Sequence, residues 1–474
     1  MRASATSSLT LRIGDLALRA LVSCEPTQSI ADVAARMTQA DVASAVTLDA
    51  ERRPTGIVTD SDLRRRVAAQ GLELSRPIRE VTSSPVVTIR RDALGLDAIQ
   101  AMLGSRIHHL VVVDGNGRAI AVVADSDLLA HEASDPLLLA RRIERATSVD
   151  ELAEARSRYA HTADLLLKAG ARPSAVGRVL AETNDRLQRQ LLRIAFDELG
   201  RAPARFAWIV MGSEARRMQT LRTDQDNGII WEDGPDVDGY FATLGTWMVN
   251  ALERCGVPAC PGDVMATNQL WRGSESGWRR RFGAWLEEPE PVALLRALIA
   301  FDLRAAAGSA ELVGSLRTWL MERTPHARLL LIHLARELGR RRVAIGPLGR
   351  LRLRAGALDA KRDAIGGVVD GARLLALELG ITETSTLRRL ERAADLGAVP
   401  RTDAAEVSEA YEELQALRLR RQVAQTTEGK PPDNLIVPAQ LSRAQRAALR
   451  EHLSAISRFQ GGVVERFGLA AARE

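Results

Sequence analysis

Residues 205–231 read RFAWIVMGSEARRMQTLRTDQDNGIIW. The run Phe206–Met211 is apolar on both faces, as a fully buried strand is. Gly212-Ser213 ends it, and a short helix-compatible segment follows. Thr223-Asp224-Gln225-Asp226-Asn227 then leads into Gly228-Ile229-Ile230-Trp231. Side chains two apart on a strand share a face, so Asp224 and Asp226 point the same way and can hold a divalent cation. Their hard oxygens suit Mg2+. Gly212 lets the backbone approach a triphosphate, and Ser213 can donate to it. Phosphoryl and nucleotidyl transfer need these parts: metal charge against developing charge, and backbone donors that position phosphates. A D-x-D alone reads more often as a solvated turn. Here Gly-Ser lies twelve residues upstream and a hydrophobic strand flanks each side, which favours a site.

In the order of its parts the segment resembles the DNA polymerase β-like nucleotidyltransferase superfamily. More closely, residues 137–474 are similar to nucleotidyltransferases related to the N-terminal region of PII-protein uridylyltransferases. Cys260-Pro261-Gly262-Asp263-Val264-Met265-Ala266-Thr267-Asn268, Phe301-Asp302-Leu303-Arg304, Leu358-Asp359-Ala360-Lys361-Arg362 and Val369-Asp370-Gly371-Ala372-Arg373 carry the likeness. The resemblance implies a third carboxylate on a neighbouring strand. Asp263 is the candidate, following a helix over about Val237–Cys255 and preceding a strand-like Val264–Thr267; a Pro-Gly turn fits it equally. Asp302 with Arg304 is a second option, although an Asp–Arg pair in an apolar helix over Leu294–Ala307 reads as a satisfied internal ion pair. The first motif departs from the family's G-S-E-G-R-x-E-Q-T-L: Ala215 replaces a glycine and Met218 an acid.

The front of the chain is a repeat. Residues 57–63 read IVTDSDL and residues 122–128 read VVADSDL. Each copy orders its elements alike: an apolar-periodic helix (Ile30–Gln39, Ala93–Gly104), a β-branched strand (Ala43–Leu48, His109–Val113), a Gly turn and a second strand (Ile57–Thr59, Ala119–Ala124). D-S-D-L then opens another helix (Asp60–Ala69, Asp125–His131). Units of about 60 residues bury little surface alone, so two should pack together. Over residues 11–132 the copies resemble cystathionine β-synthase (CBS) domains, which pair to bind adenosyl ligands. In such domains the strand-end Thr and the helix-start Asp meet phosphate and ribose. Helix N-termini offer N–H groups to phosphate, and carboxylates accept from ribose hydroxyls. Thr59 and Asp62 fit in the first copy. The second keeps Asp127 but has Ala124 for the Thr, so one main adenine-nucleotide site, at Thr59 and Asp62, is expected. D-S-D-L as a plain N-cap is the alternative.

Between these regions, Asp135-Pro136 and the capping box Ser148–Glu151 start helices. One carries apolar residues from Val149 to Leu166 and stops at Gly170, and another runs from about Pro173 to Leu199 and stops at Gly200. They predict a connector that packs on its neighbours. Residues 289–460 read as helices, with an arginine stretch between Arg336 and Arg354 that is either a strand-like arm or a solvated face. Thr426–Pro438 reads as a loop and Ser442–Phe459 as a last helix. All seven tryptophans lie between Trp208 and Trp319, which predicts a separate core there. The 474 residues carry 46% hydrophobic and 26% charged side chains, and exclude a disordered, collagen-like or disulfide-scaffold chain. The net charge of +5 gives no nucleic-acid partner, and nothing approaches a membrane span or a secretory signal. Cys24, Cys255 and Cys260 form no disulfide or zinc pattern. A cytoplasmic protein is expected.

These readings combine into an α+β multidomain protein: tandem CBS domains (11–132), a helical connector (136–204), a polymerase β-like mixed-sheet nucleotidyltransferase core (205–288) and a C-terminal helical domain (289–474). The expected activity is Mg2+-dependent transfer of a nucleoside monophosphate from an NTP to an acceptor hydroxyl. By resemblance the acceptor can be a protein tyrosine, as in PII uridylylation, with adenine nucleotide at the CBS pair as regulator. Asp224, Asp226 and Asp263 are the expected catalytic residues, Asp224 and Asp226 the Mg2+ ligands, and Gly212 and Ser213 the phosphate seat. A homodimer through residues 11–132 is expected. The alternatives are a non-catalytic nucleotide sensor and a small-molecule adenylyltransferase.

Overall fold

A computed structural model describes residues 11–16, 18–129, 135–234 and 236–469. The chain divides into two compact units: residues through Arg141 with Lys168–Ala171, and Arg142–Leu167 with Arg172 onward.

In the first unit β1 is Arg19–Ala20, β2 Ser23–Cys24, β3 Ser44–Leu48, β4 Pro54–Thr59, β5 Thr88–Arg90, β6 His109–Val113 and β7 Ala119–Ala124. They form two sheets, ordered β2-β3-β4 and β1-β7-β6-β5. The repeat is visible in the register. Ser44 faces Thr59 and Leu48 faces Pro54 across β3–β4, and the second copy repeats the pairing, with His109 facing Ala124 and Val113 facing Ala119 across β6–β7. Helices Ile30–Gln39 and Gly95–Ser105 precede β3 and β6. Ser29 caps the first by accepting from Asp32 N–H. Val46 from the first copy joins Val111, Val113, Ala119 and Val122 from the second in one apolar cluster, which is why neither copy stands alone. The helix expected over Asp60–Ala69 is one α-turn, Asp60–Asp62, continued by a wide turn over Leu63–Val67 and a tight one over Ala68–Gln70. Its counterpart in the second copy is described over Asp125–Leu129; the expected end at His131 lies outside the described residues.

The second unit is built on Pro173–Leu199, a 27-residue helix ended by Gly200. The helix expected from Val149 onward is two, Val149–Ser157 and Tyr159–Lys168. Strands β8 (Phe206–Met211), β9 (Asn227–Trp231), β10 (Arg272–Ser274) and β11 (Leu303–Gly308) make a mixed sheet ordered β10-β9-β8-β11. β8 is antiparallel to both neighbours, while β10 runs parallel to β9. Every residue of β8 is buried.

Several expectations are corrected here. The apolar helix over Leu294–Ala307 stops at Ala300, and the Ala-rich Leu303–Gly308 is β11. Alanine favours helix locally, but pairing with β8 satisfies this backbone in the sheet. Val264–Thr267 is a turn, and the place beside β9 is taken by β10. Helices Arg328–Arg340, Gly366–Leu379, Thr386–Asp395, Arg401–Thr427 and Arg443–Arg466 follow. The stretch expected as a loop contains β13 (Leu435–Ile436), paired with β12 (Leu358–Asp359). The arginine stretch forms isolated bridges at Ile345–Leu351 and Arg354–Ala357 rather than a strand arm. The tryptophans do not own a separate core: one apolar cluster runs from Ala207 through Trp271, Trp278 and Trp285 to Val464.

Candidate active site

Asp224 and Asp226 precede β9 in extended chain, and the expected alternation holds through them. The buried side chains between point the other way. Gln225 Nε2 donates to the carbonyls of Val249 (3.2 Å) and Val257 (3.0 Å), and Asn227 Oδ1 accepts from Ala266 N–H (2.9 Å). The two carboxylates thus face a cavity of about 570 Å3, which Gly212 and Ser213 also line. Gly212 follows β8 with φ +57, and a Cβ there would lie 2.9 Å from Asp226 Oδ2. Only glycine meets both demands.

Burial and the neighbouring charge of Asp224 raise the Asp226 carboxyl to about 6, against a hydrogen bond from the Cys260 thiol and the charges of Lys361 and Arg216. A bound cation on that face would offset this cost. Among the described residues no three His, Cys, Asp or Glu side chains cluster as metal ligands. Two carboxylates on an open cavity nevertheless fit Mg2+, which usually takes one or two protein carboxylates together with water and substrate phosphates.

The cavity's other walls come from far along the chain: Arg341, Asp359, Lys361, Asp370, Arg373, Arg418 and Asn434. Most of these cations are already paired. Arg341 and Arg373 bind Asp370, each at 2.6 Å. Arg216, Arg373 and Arg389 converge on the wholly buried Asp302 at 2.6, 2.8 and 2.6 Å, which holds that carboxyl far below the usual range despite burial. Asp302 and Arg304 are not a pair; Arg304 binds Asp185 through two bonds of 2.7 and 2.9 Å. Ala215 takes helical backbone, so its Cβ adds no strain, and it is fully buried. Met218 lines the cavity.

Asp263 does not line this cavity. It sits exposed in a turn at φ +55, with its carboxylate accepting from Asn268 Nδ2 at 2.7 Å. Asp359 does line it, is half-buried, and accepts from the Arg362 backbone N–H at 2.9 Å. Its segment carried the family likeness, but its role as a cavity carboxylate depends on the β12–β13 pairing, which no local pattern announces.

Residues 157–292 match the family model described as "Putative nucleotidyltransferase DUF294", and residues 328–467 match "Putative nucleotidyltransferase substrate binding domain". Residues 13–69 and 78–134 each match the CBS domain. The chain belongs to the CBS-containing DUF294 nucleotidyltransferases. Among curated proteins, an uncharacterized protein of Methanopyrus kandleri is 31% identical over 124 residues, 26% of this chain and 63% of that protein. The match therefore spans a little under two thirds of that relative's length. The CBS domain-containing protein YhcV of Bacillus subtilis is 32% identical over 110 residues, 23% of this chain and 77% of its own. Among solved structures, a CBS domain protein of Pyrobaculum aerophilum complexed with AMP is 31% identical over 27% of this chain and 96% of its own, with a TM-score of 0.25. No described helix of this DUF294 protein is long and apolar enough to cross a membrane.

The CBS pair has a cavity of its own, about 220 Å3, lined by both copies, with the D-S-D-L motif of the second copy on its wall. Val42, Ala43, Ser44, His109, Ala124, Asp125, Asp127 and Arg141 are among its walls. Ala124 N–H donates to Asp127 Oδ2 at 2.8 Å. Thr59 and Asp62, the expected main site, are not among the lining residues. They form a capping box instead. The Thr59 hydroxyl and N–H donate to Asp62 Oδ2 at 2.8 and 3.0 Å, and Asp62 N–H donates back to the hydroxyl at 3.3 Å.

Proposed function

We propose that this chain transfers a nucleoside monophosphate from an NTP to an acceptor hydroxyl. The observation that carries the reading is the fit of Gly212 against Asp226, which brings backbone, Ser213 and two parallel carboxylates onto one cavity wall. Asp224 and Asp226 would hold Mg2+, whose charge, when bound, would neutralise phosphate oxygens. Ser213 and the backbone at Gly212 seat the phosphates. The acceptor oxygen attacks the α-phosphorus, its proton passes to a cavity carboxylate, and pyrophosphate leaves. Asp359 suits the proton better than the expected Asp263, because it lines the cavity and forms no ion pair with an arginine among the described residues. The helices closing the cavity fall in the segment matched as substrate binding, and they would hold the acceptor. Likeness to PII uridylyltransferases favours a protein tyrosine. An adenine nucleotide at the CBS pair would set the rate, and the pair would join two copies of the chain.

The test is labelled NTP with Mg2+ and host lysate, comparing wild type with Asp224→Asn and Asp226→Asn. Loss of one main electrostatic contact typically costs about 10²–10³ in rate. Both variants should lose transfer by that factor without melting below wild type, Asp226→Asn because it removes a charge that burial disfavours; variants that transfer like wild type remove the assignment. Met218, apolar where the family has an acid, favours a second reading, a sensor that binds nucleotide without transfer. Binding of Mg·NTP with no label on any lysate component would select it.

A further inference from the structure

The two D-S-D-L copies use their first aspartate differently. Asp60 is exposed. Asp125, its counterpart in the second copy, is buried and held from two sides, by His108 Nδ1 at 2.7 Å and by Arg141 Nη2 at 2.5 Å. Arg141 comes from the helix Asp135–Arg145, beyond the stretch matched as CBS domain. Its bond to Asp125 fixes the guanidinium on the wall of the CBS cavity. Only Nη2 is used; the remaining donors make no hydrogen bond to described residues, and the side chain keeps 37% of its exposure.

Two absences in the same cavity give those donors a purpose. Ala124 stands where the first copy has Thr59, so the strand-end hydroxyl is missing. His109 also lines the wall, but burial lowers its pKa and keeps the ring neutral. Arg141 is therefore the cation among the lining residues. A planar guanidinium with open donors suits a phosphate group, which it can grip through two bonds at once.

We propose that Arg141 is the residue by which the second CBS copy tells a phosphorylated adenosine ligand from an unphosphorylated one, taking the place of the missing Thr hydroxyl. The inference rests on adenine-nucleotide binding at the CBS pair as proposed above. It goes further in assigning phosphate recognition to a helix outside the repeats. That helix runs on past Arg141 to Arg145, so the group that reads the ligand is continuous with the chain leading to the transferase.

The experiment is calorimetry of the full chain, without Mg2+, against adenosine, AMP and ADP. The signal is the part of binding abolished by Asp127→Ala, which confines it to this cavity. Wild type should bind AMP about 10–100-fold more tightly than adenosine, the worth of a charge-assisted contact. Arg141→Gln should bring AMP to the adenosine level and leave adenosine unchanged. Asp125→Asn, which keeps the guanidinium but removes the competing charge, should preserve or increase the AMP preference. A preference that survives Arg141→Gln, equal binding of AMP and adenosine by wild type, or a preference lost in Asp125→Asn overturns the assignment of Arg141 while nucleotide binding stands. No Asp127-dependent binding of any of the three overturns the binding reading itself.

Discussion

At the scale of single residues, charge buried away from water has the largest energetic consequences. Asp302 compensates three guanidinium groups; its loss would leave Arg216 and Arg389 without their counter-charge, while Arg373 would keep Asp370. Removing one partner of a buried ion cluster costs about 3–5 kcal/mol. Asp302→Ala should therefore lower the urea midpoint sharply at pH 7; an unchanged midpoint would mean that the arginines find other partners. Glu214 is the opposite case. It is buried, accepts from Asn184 Nδ2 and Gln188 Nε2, and burial raises its carboxyl to about 7. The folded state holds that proton more tightly than the unfolded chain does. Its contribution to stability is thus complete below about pH 4.5 and disappears as pH rises through 7. Glu214→Gln should melt like wild type near pH 4.5 and higher than wild type at pH 8; parallel melting curves across that range would refute the shift. The D-x-D was legible because its evidence is local: the alternation, the glycine and the apolar strand all lie between Arg205 and Trp231. The Asp302 hub was not, since Arg373 lies 71 residues away and Arg216 lies 86 away.

At the scale of elements, the order of the repeat was readable and most bounds fall within a few residues, except the helix expected over Asp60–Ala69. Ile30–Gln39 and His109–Val113 appear with the expected bounds, the helix because one apolar face sets it and the strand because its β-branched run is buried on both faces. Where two periodicities compete, the reading failed. Ala305-Ala306-Ala307 looks helical alone and becomes strand only against β8, a partner from much earlier in the chain. Thr59 shows the limit of a motif. The family likeness marks it for ligand, and its hydroxyl here closes a capping box with Asp62. Thr59→Ala should cost about 1 kcal/mol of stability. It should leave the Asp127-dependent nucleotide binding untouched. Calorimetry beside denaturant titration separates the two effects, and a loss of that binding would return Thr59 to the ligand.

At the scale of the whole molecule, the sheet and the C-terminal helices share one apolar cluster, so a boundary at residue 288 or 289 does not separate two cores. Heat should unfold residues 142–469 in one transition; two resolved transitions from that region in scanning calorimetry would show independent halves. Self-association is expected through residues 11–132, and light scattering at a monomer mass across micromolar concentrations would remove it. The Asp224 loop is tied to the far end of the chain. Leu221 N–H donates to Gln422 Oε1 at 3.2 Å, and Arg418 on the same helix holds Asn434 at 2.7 Å. During synthesis, then, the CBS pair leaves the ribosome long before Arg418, Gln422 and Asn434 arrive to close the active cavity. On the function proposed above, a nascent or prematurely ended chain would sense its ligand with nothing to act on it: the regulator would be in place before the activity it regulates.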